Sequence, residues 1–208
     1  MKIVQIQKDK KHTVKVSFDS GKYFNFDLDY WYSLCLHEGD IIEDKKLKDC
    51  LLESDYIRAK SRGMWFLDRS DYSEKKLYEK IVAGGISTVA AAKAVARLKE
   101  LGLVDDMRLA TRLAERMSES NVSKRESYAK LYSKGIPTDI IKIVLEETEY
   151  DEVSQIKAII QKKYCHKLSD KDQIQKVYAA LIRKGFSFSA VRDALKKYTN
   201  EIEIQEEY

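Results

Sequence analysis

Apolar residues recur with helical spacing through most of this 208-residue chain, and the pattern repeats at a fixed interval. Gly85, Gly135 and Gly185 mark that interval, since each lies 50 residues after the one before. The apolar positions seven and four residues before each glycine lie one helical turn apart, as do those six and ten after it. The residue directly after each glycine is apolar as well. The five positions hold Tyr78, Ile81, Ile86, Ala91 and Val95 in the first copy; Tyr128, Leu131, Ile136, Ile141 and Leu145 in the second; and Tyr178, Leu181, Phe186, Val191 and Leu195 in the third.

Each of these glycines is expected to end one helix and to precede another. Glycine has no Cβ and adopts the positive φ that closes many helices. Ser87 and Ser187 follow at the distance of an N-cap, and Pro137 holds the equivalent place in the second copy, where it suits a helix start. A stretch long enough for one more helix precedes each pair. These leading helices are expected at 57–69, 106–118 and 152–165. The sequence therefore predicts a mainly α protein of three tandem three-helix repeats.

The first 28 residues instead show the period of two that is typical of β-strands. The alternating apolar residues are Val4 and Ile6, then Val14, Val16 and Phe18, then Phe24, Phe26 and Leu28. Three short strands with one apolar face need a partner, so we expect them to pack on the first helices. A short helix is predicted at 30–36 and a longer one from about 44 to 68. The predicted parts are an N-terminal β element with short helices (1–56), three helical repeats (57–105, 106–151 and 152–200) and an acidic tail (201–208).

The composition fits a helix-rich chain, with 44% apolar residues, 35% charged residues and one proline. No apolar run approaches the ~20 residues that cross a bilayer, and the N-terminus lacks the plan of a signal peptide. The three cysteines are odd in number and form no pattern, which argues against a disulfide framework. We therefore expect a cytoplasmic protein without a membrane segment.

Charge is distributed unevenly along the chain. The net formal charge is −2 over residues 1–56, +10 over residues 57–200 and −4 over residues 201–208. The repeats therefore carry the positive charge, and such an array is drawn to a polyanion or to an acidic protein surface. The acidic tail could fold back onto the basic repeats, or it could be a solubilising end without order.

The sequence offers little catalytic chemistry. It contains no phosphate-binding loop of the Gly-Lys-Ser/Thr kind. Asp105 and Asp106 fit the start of a helix better than a metal site, and Cys165–His166 lacks the further ligands that zinc requires. We therefore expect no enzyme activity, cofactor or metal. The tyrosine of each repeat could stack on nucleic-acid bases, but its recurrence at an apolar position favours packing inside each repeat.

Three segments of the repeats resemble the RecX family of recombinase regulators. They are Leu98-Lys99-Glu100-Leu101-Gly102-Leu103-Val104-Asp105-Asp106 followed by Arg108-Leu109-Ala110; Leu131-Tyr132-Ser133-Lys134-Gly135-Ile136-Pro137; and Leu181-Ile182-Arg183-Lys184-Gly185-Phe186-Ser187. The resemblance covers residues 57–200. The second repeat departs from the family pattern, because Asn121-Val122-Ser123-Lys124-Arg125 keeps a basic pair without flanking glycines. Residues 1–56 lie beyond the core family pattern, although longer members carry an N-terminal extension.

The resemblance implies a monomeric regulator that binds the RecA recombinase and lies in the groove of its filament on DNA. It further implies limited or reversed filament growth, weak binding of single-stranded or double-stranded DNA, and a part in recombination, DNA repair and the SOS response. The alternative is a stand-alone nucleic-acid-binding protein, because three-helix units resemble helix-turn-helix modules.

Basic residues of the repeats are the candidate contacts with DNA or with a protein partner. Some hold the same place in each repeat, some form a stripe spaced by four, and some belong to the segments above. The stripe could equally be a solvated helix face with acidic partners at i,i+3. The candidates are Arg62, Arg108, Arg112, Arg116, Lys124, Arg125, Lys134, Lys162, Arg183 and Lys184.

Overall fold

The computed structural model describes residues 1–10, 12–168 and 170–206, and in these ranges three strands precede ten α-helices. The strands are β1 (Ile3–Lys10), β2 (Thr13–Phe18) and β3 (Tyr23–Asp27). The helices are α1 (Leu28–Ser33), α2 (Asp44–Leu67), α3 (Glu74–Val82), α4 (Thr88–Glu100), α5 (Asp106–Glu119), α6 (Lys124–Ser133), α7 (Thr138–Glu147), α8 (Glu152–Lys163), α9 (Lys171–Arg183) and α10 (Phe188–Glu206). A 3-10 turn follows α8 at Cys165–Lys167. The predicted mainly α fold with a small N-terminal β element is confirmed.

The chain forms two compact units, and the first comprises Met1–Asp105. Its three strands form an antiparallel sheet in the order β1-β2-β3. Along β2, Val14, Val16 and Phe18 are buried and their neighbours are not, so the alternation predicted for this strand is confirmed. Behind the sheet, the rings of Phe26 and Trp31 pack with their centroids 4.7 Å apart.

The inward face of β1 differs from the prediction at its start. Val4 was expected to point inward with Ile6, but Val4 is 56% exposed and Ile3 is buried. The pairing of β1 with β2 shifts register between Ile3 and Gln5. A register shift of this kind reverses the alternation of side chains, so Ile3 and Ile6 both reach the core although three positions separate them.

Helix α2 serves both cores of the first unit. The predicted helix at about 44–68 and the predicted leading helix at 57–69 are one helix of 24 residues. Leu47 and Cys50, near its start, pack with the sheet and Trp31. Ala59, near its end, packs with α3 and α4. The β element is therefore joined to the first repeat by a shared helix.

Each repeat has the predicted three helices in the same order. They are α2–α3–α4 in the first unit, and α5–α6–α7 and α8–α9–α10 in the second unit, which begins at Asp106. Each repeat has its own apolar core. Gly85, Gly135 and Gly185 have φ of +78°, +79° and +93°, as predicted for residues that end a helix in the left-handed conformation.

The second helix of each pair begins where expected. Ser87 caps α4 by accepting a hydrogen bond from the Ala90 N–H at 3.4 Å. Ser187 accepts one from the Ala190 N–H at 3.3 Å. Pro137 was expected at the start of α7 and occupies the N-cap, so the helix itself begins at Thr138.

The two ends of the described chain refine the predicted boundaries. Helix α1 begins at Leu28 rather than 30, because the Asp27 carboxylate accepts a hydrogen bond from the Tyr30 N–H at 3.1 Å. Helix α10 continues to Glu206, beyond Tyr198 where the apolar pattern ends. Glu207 and the side chains of the rest of the acidic tail lie outside the described residues.

Candidate nucleic-acid and partner interface

The arginine stripe lies on an exposed face of α5. Arg108, Arg112 and Arg116 are exposed and follow one another at one-turn intervals. Ala110 and Ala114 are fully buried on the other side of the helix. Helix α5 is therefore divided into an alanine face toward the core of the middle repeat and an arginine face toward solvent. Both interpretations of the stripe, as a binding surface or as a solvated face, are compatible with this arrangement.

Arg62, Arg112 and Lys162 occupy equivalent positions in the three leading helices, and all three are exposed. Arg62 also has a local packing role. A Cβ added to Gly84 would lie 2.5 Å from the Arg62 Cζ, so the guanidinium lies directly against the backbone at the end of α3. The same guanidinium is 5.5 Å from the centroid of the Phe66 ring. Arg62 therefore stabilises the first repeat as well as adding positive charge to its surface.

The basic pair Lys124-Arg125 of the middle repeat lies beside the turn at Gly185 in the third repeat. The Ser123 hydroxyl donates to the Lys184 carbonyl at 2.6 Å and accepts from the Glu126 N–H at 3.2 Å. A Cβ added to Gly185 would lie 2.9 Å from the Arg125 Cβ. The structure thus brings the predicted residues Lys124, Arg125 and Lys184 to one region, where α6 begins and α9 ends.

A groove of about 490 Å³ opens beside the turn at Gly185. Lys124, Arg125 and Tyr128 line it from α6, and Lys142, Leu145 and Glu146 line it from α7; Glu152, Gly185 and Ser187 complete it. Of its two carboxylates, that of Glu152 accepts hydrogen bonds from the Ser187 N–H and hydroxyl. The groove therefore joins three cations and one aromatic ring. Lys142 belongs to this groove and was not among the residues predicted from the sequence.

The repeat tyrosines do not share one environment. Tyr78 and Tyr178 are partly buried against the cores of their repeats, as predicted. The prediction is wrong for Tyr128, which is 36% exposed. One turn further along α6, Tyr132 is 61% exposed. A tyrosine tolerates exposure because its hydroxyl can bond to water, and the middle core is filled by other side chains.

The other two predicted residues lie near helix ends. Lys134 is exposed at the C-cap of α6, and Arg183 is exposed in the last turn of α9. Cations are favoured near helix C-termini, where they offset the negative end of the helix dipole. Their position is accounted for locally, and a role in binding stays a prediction.

A larger groove of about 920 Å³ lies in the first unit. It is bounded by the sheet, α1 and α2, and Arg62 and the 52% exposed Trp65 line it from α2. Arg58, also in its wall, is held by the Asp55 carboxylate at 3.1 Å and the Asn25 carbonyl at 3.2 Å. The Arg69 guanidinium lies 3.8 Å from the centroid of the Trp65 ring, so the half-exposed indole is covered by a cation on one side.

The described residues hold no group of three or more His, Cys, Asp or Glu side chains placed to bind a metal ion. Asp106, the second of the two aspartates weighed as metal ligands, is the first residue of α5, and Asp105 directly precedes the helix. In the same part of the chain, none of the helices has the length and apolar character needed to span a membrane.

Comparison with known proteins gives a consistent set of relatives. Residues 149–195 match the family model for the third three-helix domain of RecX. The regulatory protein RecX of Caldanaerobacter subterraneus is 30% identical over 197 residues, which cover 93% of this chain and 96% of that protein. RecX of Clostridioides difficile is 28% identical, with 95% of this chain and 94% of that protein covered. RecX of Clostridium perfringens strain 13 is 26% identical, with 95% of both chains covered.

Solved structures share the fold. A crystal structure of regulatory protein RecX superimposes with a TM-score of 0.65 at 22% identity, covering 94% of this chain and 98% of that chain. RecX from Lactobacillus salivarius gives a TM-score of 0.60 at 19% identity, covering 73% and 99%. Because the relatives match nearly the full length, their similarity also includes most of the N-terminal β element, which extends the resemblance seen in residues 57–200. This chain belongs to the RecX family of regulatory proteins.

Proposed function

We propose that this chain binds the RecA recombinase and its filament on DNA in the cytoplasm, limits or reverses filament growth, and does so without catalytic chemistry. Membership of the RecX family, at 30% identity over nearly the whole of both chains, is the observation that carries the proposal. The modulation of RecA and the weak binding of DNA are expectations for the family. The ten predicted basic residues are proposed as contacts.

The architecture supports this proposal physically. Tandem helical units form extended surfaces, which suit a partner that is itself a repeating polymer. The repeats carry a net charge of +10, so they are attracted to DNA and to acidic protein surfaces. Exposed arginines one turn apart on α5 offer several such contacts on one face.

A pull-down with RecA, with and without single-stranded DNA, tests the proposal most directly. We expect the full chain to retain RecA in both conditions and to lower the DNA-dependent ATPase rate of preformed filaments. Absence of RecA from the bound fraction in both conditions, together with an unchanged ATPase rate, would contradict the proposal. Strong binding of duplex DNA by such a protein would then favour the helix-turn-helix alternative.

Replacement of the α5 stripe tests its place in the interface. In the variant with Arg108, Arg112 and Arg116 all changed to Ala, we expect weaker association at low salt and a smaller difference from the parent as salt rises. A matched control changes Lys45, Lys46 and Lys48 to Ala. These lysines are also exposed, and their replacement removes the same three positive charges. If both variants bind alike, the stripe is a solvated face and only total charge matters.

A further inference from the structure

We propose that α6 binds single-stranded nucleic acid by stacking bases on Tyr128 and Tyr132, while Lys124, Arg125 and Lys142 hold the phosphates. These five residues are called the tyrosine face below. The inference deepens the proposed function by naming where the chain contacts DNA, and it rests on that function for its setting, although the binding itself can be measured without RecA.

The first observation is a break in the internal repeat. Val82 and Ile182 hold the position of Tyr132 in the other two repeats, and both pack against the cores of their repeats. In the middle repeat this position is a tyrosine that is 61% exposed, and Tyr128 beside it is 36% exposed. The core of the middle repeat is built from other residues, among them Leu131, which is fully buried on the same helix. The core of the middle repeat therefore does not account for Tyr132, and it leaves 36% of Tyr128 accessible on the same face.

The second observation is the spacing of the two rings. Residues four apart on a helix lie on one face, with Cβ atoms about 5–6 Å apart. Tyr128 and Tyr132 can therefore each meet a base of one extended strand. A base presents its π-face only when it is unstacked from its neighbours, which requires a single strand rather than a duplex.

The third observation is the charge around the rings. Lys124, Arg125 and Lys142 share the groove with Tyr128, and all three are exposed. Of the nearby acids, Glu152 accepts two hydrogen bonds from Ser187. The Glu126 carboxylate is 2.7 Å from the Lys130 ammonium. Glu146 is the further carboxylate in the groove wall. Cations beside exposed rings are the combination that binds single strands without regard to sequence.

The test compares two labelled oligonucleotides of equal length, one of oligothymidine and one in which every nucleotide is abasic. Both carry the same phosphates, so a difference in affinity reports the bases. We expect the full-length parent to prefer oligothymidine. The variant with Tyr128→Ala and Tyr132→Ala should bind oligothymidine about tenfold more weakly, because each ring that stacks on a base contributes to the binding free energy. Binding of the abasic strand should stay at the parent value.

Three variants separate stacking from charge and from general damage. Tyr128→Phe with Tyr132→Phe keeps both rings, so it should bind like the parent. Lys124→Ala with Arg125→Ala should weaken binding of both oligonucleotides and lower the salt dependence. Tyr32→Ala removes a 65% exposed tyrosine from α1 and should change neither affinity. Thermal melting verifies that each variant is folded.

The outcomes distinguish this inference from the proposed function. Equal affinity of the parent for both oligonucleotides, or unchanged oligothymidine binding by the double alanine variant, would overturn the inference. A double alanine variant that keeps its DNA affinity but no longer retains RecA would assign the tyrosine face to a protein contact and also overturn it. Base-dependent binding by a parent that fails to retain RecA would support the inference and contradict the proposed function.

Discussion

At the residue scale, two repeat glycines have the same backbone conformation in different surroundings. Gly85 and Gly185 both have positive φ, which L-residues rarely adopt. A Cβ on Gly85 would meet no atom within 4 Å. On Gly185 it would lie 2.9 Å from both the Arg125 Cβ and the Ser123 Oγ. The first glycine is required by conformation alone, and the second by conformation and by the close approach of α6.

We therefore expect Gly185→Ala to destabilise the protein more than Gly85→Ala. The left-handed conformation costs a non-glycine residue about 1–2 kcal/mol, and an overpacked contact adds about 1–3 kcal/mol. Urea unfolding of both variants should give a free energy of unfolding that falls by about 1 kcal/mol for Gly85→Ala and by about 3 kcal/mol for Gly185→Ala. Equal losses would show that Arg125 and Ser123 move away from the added methyl group without an energetic cost.

Asp151 links one helix cap to pH. It caps α8 by accepting a hydrogen bond from the Ser154 N–H at 3.0 Å. Hydrogen bonds from Ser154, through its side chain and its backbone, lower the pKa of the Asp151 carboxyl. Because the folded pKa lies below the unfolded one, the stabilisation is fully present above the unfolded pKa of about 3.9 and is lost as pH falls through the folded pKa.

The Asp151→Asn variant should accordingly be less sensitive to acid than the parent. Asparagine keeps an acceptor for the cap but does not titrate. We expect the drop in melting temperature between pH 7 and pH 3 to be smaller for the variant. Differential scanning calorimetry at both pH values measures it, and an identical drop would show that this carboxyl does not contribute to acid unfolding.

At the element scale, α2 and α4 approach closely through small residues. Ala59 on α2 and Ala90, Ala91 and Ala94 on α4 are fully buried in one core. A Cβ added to Gly63 on α2 would lie 2.6 Å from the Leu98 Cδ1. Glycine is unfavourable in the interior of a helix. Its presence at position 63 is explained by Leu98, which occupies the space that a larger side chain would need.

Gly63→Leu should destabilise the first repeat by about 1–3 kcal/mol, the usual range for overpacking. Leucine is the residue at the equivalent position of the middle repeat, where Leu113 packs against the core. The substitution therefore tests whether the first repeat lacks the space that the middle repeat provides. A double-mutant cycle with Leu98→Ala tests the cause. We expect the loss from Gly63→Leu to shrink when Leu98 is truncated, whereas additive losses would place the strain elsewhere.

At the scale of the whole molecule, the charge segregation in the sequence is its clearest long-range feature. The repeats carry +10, whereas the acidic tail carries −4 over its last eight positions. Attraction between exposed charges acts over a Debye length of ~10 Å at 0.1 M salt and is modest. If the repeats bind DNA as proposed, we therefore expect competition from the tail to be weak and sensitive to salt.

Removal of residues 201–208 should raise the affinity for single-stranded DNA by only a few-fold at low salt. A few-fold change corresponds to less than ~1.4 kcal/mol, which several weak exposed pairs can supply. Titrations of the full and truncated chains across a range of salt concentrations measure the effect. Superimposable curves would leave the tail without a role in binding, as expected for a solubilising end.

Local chemistry and internal repetition were enough to predict much of the fold. Gly135 at the end of a helix, Ser87 at the start of one, and the order of helices in each repeat all follow from interactions within a few residues. The 50-residue period added the long-range information, because the same local pattern three times in one chain predicts the same unit three times. The similarity to RecX was also visible in short segments of the repeats.

Tertiary packing determined which side chains are accessible, and the sequence alone did not show this. Val4 is exposed because β1 shifts register, and Tyr128 is exposed because the middle core is filled without it, although its sequence position matches Tyr78. Ser123 meets Lys184 across a separation of 61 residues. Apolar periodicity predicts which side chains share one face of a helix or strand. Whether that face is buried depends on what the rest of the chain packs against it. The candidate site is formed by this tertiary packing, so the sequence pattern alone did not predict it.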